Sequence, residues 1–451
     1  MHALFAAAAL LAAAVDAPRS AFLAEPYVNL GDNAKPSAKE GLSILWHADN
    51  AKHEWKLEYR QGNQWSAAAL TATPIDVRGT APFQVFEAKL VNLKPGEKVE
   101  YRVLRDSANL FSSTTMARKP AKANTRFVVF GDCAQGTPEQ KQVAEQTAKL
   151  APDYVFIAGD IVYTRGRISE YRTKYFPYYG ELAKSTLFIG ATGNHDTSSL
   201  ADITETPDTY AYYYFWRQPM NGPANPPGPA FASKTTGDVE AIKKNAGPGY
   251  ERRGYFSFDY GQVHWTVLDS NPYADWTKPE LREWLENDLK AAAKAPWRIV
   301  TFHHPGFNSS KAHFKEQRLR AINDILERHN VSLVLAGHVH NYQRTRPLAF
   351  KVTKPASGKD TEVGGEFTYD FEYDGVTRTK AKYPIQLVTG AGGAKIYNPE
   401  QTTEPFSWQP FTVKFVSNVN SLTVVDAEAK KLTVRQISAK GDELDRFVIT
   451  R

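Results

Sequence analysis

Val331-Ser-Leu-Val-Leu-Ala-Gly337-His338-Val339-His340-Asn341-Tyr342 is the stretch on which the reading of this chain turns. Its first half is a continuous apolar run, as expected of a strand buried on both faces. The run breaks at Gly337 and then presents two histidines spaced i, i+2. Side chains two apart on extended backbone point the same way and sit about 6–7 Å apart. That suits one histidine on each of two neighbouring metal ions. A lone His-x-His pair on a surface is common and means little, so its weight depends on how the other strands end.

Four more apolar runs end in the same kind of residue. Phe127-Val-Val-Phe130 ends at Gly131-Asp132, and Tyr154-Val-Phe-Ile157 at Gly159-Asp160. Thr186-Leu-Phe-Ile189 ends at Gly193-Asn194-His195-Asp196, and Arg298-Ile-Val-Thr-Phe302 at His303-His304-Pro305. Helical patterns lie between them. Thr137-Pro138, with Gln140 three beyond the cap, is a helix start, and Val143, Ala144, Thr147 and Leu150 fall on one face. Thr277 is read as the cap of a second helix carrying Leu281, Trp284, Leu285 and Leu289, and Leu319, Ile322 and Leu326 mark a third. Strand and helix in alternation predict a layered α/β domain.

In an open α/β sheet, ligands bind at the carboxyl ends of the strands. One Gly-Asp pair is an ordinary turn. Five strand ends loaded with Asp132, Asp160, Asn194, His303 and the pair His338 and His340, four of them directly after glycine, point to a metal centre. Imidazole and carboxylate suit Zn, Fe and Mn, and the lack of thiolate argues against a structural zinc site. Cys133 neighbours Asp132 on the strand, points the other way, and is read as buried packing. Two metals about 3.5–4 Å apart clamp an in-line displacement and bring the pKa of a bound water to about 7. Such a pair needs a bridging carboxylate, and Asp160, in the middle of the order, fills that place.

The rest of the chain frames this domain. With 451 residues, 42% hydrophobic and 23% charged, it has the composition of a globular protein of two or three units. The net charge of +6 is spread without a run of five or more, which excludes a nucleic-acid-binding arm while favouring an anionic substrate. Residues 1–17 are an Ala/Leu-rich signal peptide with cleavage at Val15-Asp16-Ala17. No other stretch is long enough for a membrane span. The single cysteine, Cys133, allows no intrachain disulfide. The expected location is therefore secreted or periplasmic. Residues 26–117 alternate as short strands and predict an all-β sandwich, and residues 117–124 form a polar linker. Residues 125–451 are the catalytic domain, with a long excursion over 200–254 whose aromatics at 210–216 form a local core. Phe367, Tyr369, Phe371 and Tyr373 alternate into Asp374-Gly375, a hairpin signal. Gly390-Ala-Gly-Gly393 lacks the Lys-Ser/Thr of a phosphate loop and is read as a tight turn.

Asp132, Gly159-Asp160, Gly193-Asn194-His195-Asp196, His303 and Gly337-His338-Val339-His340 together resemble the calcineurin-like metallophosphoesterase superfamily. Gly159-Asp160-Ile-Val-Tyr163 and His340-Asn-Tyr342-Gln-Arg344 resemble the purple acid phosphatases within it, as do the front domain, similar to fibronectin type III, and the strand running into Gly390. The resemblance implies a four-layer α/β/β/α sandwich behind a fibronectin type III-like domain. It implies a dinuclear centre, with Fe(III) held by Asp132, Asp160, Tyr163 and His340, and a divalent Fe, Zn or Mn held by Asp160, Asn194, His303 and His338. It further implies a small phosphorylated substrate, a metal-bound hydroxide attacking phosphorus, and His195 and His313 contacting phosphate and leaving group. The plant enzymes carry two adjacent histidines where this chain has Ala312-His313. Phosphate monoester hydrolysis is the leading expectation. A phosphodiesterase on the same scaffold and an exported binding protein with a vestigial metal site are the alternatives.

Overall fold

A computed structural model describes residues 21–37, 39–197, 203–229, 231, 236–356 and 361–451. The signal-peptide expectation for residues 1–17 falls outside them. Two large sheets lie face to face. One has six strands in the order Leu187–Gly190, Tyr154–Ile157, Thr125–Phe130, Ser421–Ala427, Lys431–Ser438, Glu443–Thr450, its first three parallel and the rest antiparallel. The other has seven, with Val263–Val267, Trp297–Phe302, Leu333–Ala336 and Ile385–Thr389 parallel at its centre. The apolar runs form strands because both of their faces are covered. Their inner faces interlock through Phe156 stacked on Trp265 at 4.8 Å and Phe127 edge-on to Trp265 at 5.2 Å. Their outer faces meet helices: Val128 and Val155 share a cluster with Val143 and Tyr179, and Val300 and Val334 with Leu281, Leu285 and Leu326. The result is the expected mixed α/β architecture of four layers.

Residues 24–116 form two four-stranded antiparallel sheets, consistent with a fibronectin-like sandwich, around a core in which Trp46 stacks on Phe86 at 5.1 Å. This sandwich is not a bead on a string. Its apolar cluster continues into the α/β sheets. The aromatics at 210–216 are buried as expected, but as a seam and not only a local core. The His47 ring lies 4.2 Å from Phe215, and the Tyr27 hydroxyl donates to the Phe215 carbonyl at 2.9 Å. The polar linker contains Arg118, whose guanidinium pairs with Glu40 at 2.7 Å with neither side chain exposed.

Two local expectations fail, and a third is met in a different helical form. The helix Pro279–Ala291 is preceded by Lys278 at its cap position, and Thr277 donates to Asp275 Oδ1 at 2.6 Å instead of capping. The third helix is a 3-10 turn, Arg318–Ile322, followed by the short α-helix Asn323–Arg328. At Asp374-Gly375 no hairpin forms. The strand Gly364–Tyr369 pairs with Leu348–Lys354, and Asp374 instead accepts the amides of Val376, Thr377 and Arg378, each at 2.8 Å. An aspartate that satisfies its own loop competes with ladder pairing.

Candidate metal centre

All five strand ends deliver their polar residues to one buried place. Asp132 and Asp160 are 0% and 1% exposed, and no lysine or arginine is paired with them among the described residues. Backbone geometry aims them. Asp132, Asp160 and His338 have φ of 58°, 50° and 67°, a left-handed conformation that non-glycine residues rarely adopt and that clusters at functional sites. Each carboxylate has one oxygen pinned by the amide of another strand end. Asp132 Oδ2 accepts from His338 N at 2.7 Å, and Asp160 Oδ1 from His195 N at 2.8 Å. The opposite oxygens are thereby turned to the centre. The glycines of the motif make room for this approach: a Cβ on Gly193 would sit 2.1 Å from Asp160 Oδ1.

The free oxygens converge with three further groups. The Tyr163 hydroxyl lies 3.0 Å from Asp132 Oδ1, 3.2 Å from Asp160 Oδ2 and 3.0 Å from His340 Nε2, and His340 Nε2 is 3.3 Å from Asp132 Oδ1. On the other side of Asp160, His303 Nε2 lies 3.1 Å from Asp160 Oδ2 and 3.2 Å from Asn194 Oδ1. Donors bound at about 2.0–2.2 Å to one ion stand about 3.0–3.6 Å apart, so the separations fit. The ring orientations suit metal binding. His340 Nδ1 donates to the Lys395 carbonyl at 2.6 Å, and His303 Nδ1 to the Ala158 carbonyl at 2.9 Å, which turns both Nε2 atoms inward, where they could hold a metal. His338 Nε2 donates to Glu316 Oε2 at 3.0 Å, leaving Nδ1 as the nitrogen that could hold a metal. His338 clusters with His303 and His304, and its ring centroid is 5.0 Å from that of His303. Asp160, through one oxygen, belongs to both groups.

The electrostatics agree. Burial pushes the Tyr163 phenol up, and the neighbouring Asp132 and Asp160 charges push it further. A phenolate there needs a cation between it and the carboxylates. Burial would lower His303, but the carboxylates of Asp160 and Asp132 outweigh it and raise the imidazole to about 10, so a proton serves as counter-charge among the protein groups alone. The residues present fit a two-ion centre by donor chemistry, spacing and tautomer.

The two further histidines flank this centre. His195 has Nδ1 on the Thr164 carbonyl at 2.8 Å and Nε2 at 3.8 Å from Asp160 Oδ2. The His313 ring lies 4.1 Å from that of His338, and its Nδ1 donates to Glu316 Oε1 at 2.7 Å. Glu316 thus ties the two together, a role sequence reasoning missed, although its place three after His313 is a signal of a local pair. Tyr397, stacked on His340 at 4.0 Å, was also missed, since nothing in its local sequence marks it. Asp196 is buried and accepts amides from Ile161 and Gly193, bracing the loop. Burial, with the Asp160 charge, raises its carboxyl above the usual carboxylate range. Gly390-Ala-Gly-Gly393 is a wall of the centre: a Cβ on Gly390 would meet Asp132 Oδ2 at 2.7 Å. Arg167 is tied to Asp208 at 2.7 Å, Cys133 is buried with Sγ on the Ile161 carbonyl, and His304 Nδ1 bonds Ser270 Oγ at 2.9 Å.

Known proteins resemble this chain in sequence and in fold. Residues 125–342 match the family model described as calcineurin-like phosphoesterase. Purple acid phosphatase 21 of Arabidopsis thaliana is 26% identical over 290 residues, covering 62% of this chain and 58% of its own length. Phosphoenolpyruvate phosphatase of Allium cepa is 26% identical over 327 residues, covering 70% and 58%. The chain spans a little more than half the length of these curated relatives. Purple acid phosphatase PPD1 from yellow lupin (Lupinus luteus) seeds shares the fold with a TM-score of 0.69 at 16% identity, over 94% of this chain and 74% of that one. The structure of PhoD does so at 0.59 and 14%, over 97% and 90%. Residues 125–342 are therefore a calcineurin-like phosphoesterase domain. Over a little more than half of their length, the two curated phosphatases are similar to this chain.

Proposed function

We propose that this protein hydrolyses phosphate monoesters at a dinuclear centre. Asp132, Asp160, Tyr163 and His340 would hold Fe(III), and Asp160, Asn194, His303 and His338 a divalent Fe, Zn or Mn. The observation that carries the reading is Asp160 Oδ2, within 3.2 Å of both Tyr163 and His303. It is the one oxygen common to both ligand sets. Ions held there supply a Lewis-acid clamp on the phosphoryl oxygens and acidify a water to about 7. The protein's own residues do the rest. The Thr164 carbonyl and the Glu316 carboxylate fix Nδ1 of His195 and of His313, respectively. That leaves each Nε2 to act on substrate: His195 steadies a phosphoryl oxygen, and His313 delivers a proton to the leaving oxygen as general acid. The mild basic excess favours encounter with an anionic ester. The leader-like composition of residues 1–17 and the single cysteine support a secreted or periplasmic location. Among the described residues no helix is long and apolar enough to cross a membrane.

An assay of p-nitrophenyl phosphate beside bis-p-nitrophenyl phosphate, on metal-loaded protein, tests the reading. Preferential turnover of the monoester is expected. Preference for the diester would make it a phosphodiesterase, and no turnover with Fe, Zn or Mn would favour a binding protein.

A further inference from the structure

A groove of about 650 Å³ opens beside the metal centre, between the segment that carries His313 and the segment 401–409. This is within the range of small-ligand sites. His313 and Glu316 line it, and Glu316 bonds His338. A substrate with its phosphorus at the centre places its leaving oxygen at His313 and the rest of its leaving group in this groove.

The groove's charges are already matched. Lys311 Nζ donates to Glu400 at 3.1 Å and lies 3.5 Å from Glu404, and Lys315 Nζ is 3.6 Å from Glu362. Neither ammonium lining the groove is without a carboxylate, so a second phosphate would find no unpaired cation there. Two groups remain to receive a ligand. Phe314 is half-buried, and its ring packs on no other aromatic ring among the described residues. Gln409 lines the groove with its carboxamide unbonded to any described residue. A ring face beside a free amide recognises a flat group that carries hydrogen-bonding atoms.

We propose that this groove is the leaving-group subsite and that it takes a neutral, ring-bearing alcohol, aryl or nucleoside, in preference to one carrying a second phosphate. The inference rests on the phosphoesterase reading above. The test is kcat/KM of the metal-loaded protein on adenosine 5′-monophosphate, p-nitrophenyl phosphate, glycerol 3-phosphate and fructose 1,6-bisphosphate. Wild type is expected to favour adenosine monophosphate over both glycerol phosphate and the bisphosphate. Phe314→Ala is expected to lower the ratio of ring-bearing to acyclic substrate about tenfold, the scale of one stacked ring, and Phe314→Tyr to restore it. A ratio that falls for the nucleotide but not the aryl ester in Gln409→Ala assigns the subsite to nucleosides; a fall for neither assigns it to aryl groups. Glu400→Gln with Glu404→Gln is expected to raise the relative rate on the bisphosphate. A wild type that prefers the bisphosphate, or a Phe314→Ala that lowers all substrates alike, overturns the subsite while the phosphoesterase stands. Turnover of none of the four removes both.

Discussion

Tyr163 is the residue whose chemistry separates a ferric centre from a purely divalent one. Its phenol sits between two carboxylates that oppose its ionisation, and only a strongly charged cation reverses that. Iron-loaded protein is therefore expected to show a visible charge-transfer band that Tyr163→Phe lacks; a colourless iron-loaded wild type contradicts the tyrosinate. Away from the site, His264 is buried between Asp259 at 2.6 Å and Asp288 at 3.0 Å. Burial lowers its pKa, but hydrogen bonds to these two carboxylates prevail and raise it to about 9. Because the folded value lies above the unfolded one, the contribution is fully present below about 6.5 and fades as pH rises through about 9, with a ceiling of roughly 3 kcal/mol. Replacing His264 by Gln is expected to destabilise the protein more at pH 6 than at pH 10 in urea unfolding. An equal loss at both pH values would mean the imidazole is neutral in the fold.

At the scale of elements, the strand-end loops decide whether the centre assembles. Gly193→Ala puts a methyl 2.1 Å from Asp160 Oδ1, so it is expected to lose bound metal while keeping wild-type circular dichroism. Full metal content in this variant would show that the loop yields. Thr137 both caps the helix Pro138–Lys149 and donates to the Gly393 carbonyl at 2.6 Å, tying that helix to the glycine wall. Thr137→Ala is expected to cost about 1 kcal/mol or somewhat more, read as a lowered denaturation midpoint. These elements also show what sequence can and cannot carry. The parallel strands were legible because burial on both faces leaves an unbroken apolar run, and the convergent polar residues because five strand ends repeat one chemistry. Tyr397 and the Lys395 carbonyl were not legible, since they reach the centre through tertiary contacts that no local pattern encodes, and Glu316 left only its spacing of three from His313. Thr277 was misread because Asp275, two residues earlier, takes its hydroxyl.

For the whole molecule, the front sandwich and the α/β layers share one apolar core and a buried ion pair. Glu40→Gln leaves the Arg118 guanidinium without its counter-charge and is expected to cost about 3–5 kcal/mol, in a calorimetric scan that keeps a single transition. Two separate transitions would mean the sandwich folds apart from the rest. The central claim is that Asp160 joins two ions into one phosphoester-hydrolysing site. Elemental analysis of purified wild type and Asp160→Ala, run beside p-nitrophenyl phosphate turnover, tests it most directly. Two metal equivalents and turnover in wild type, with both lost in the variant, are predicted. Two equivalents retained in Asp160→Ala with activity intact would contradict it.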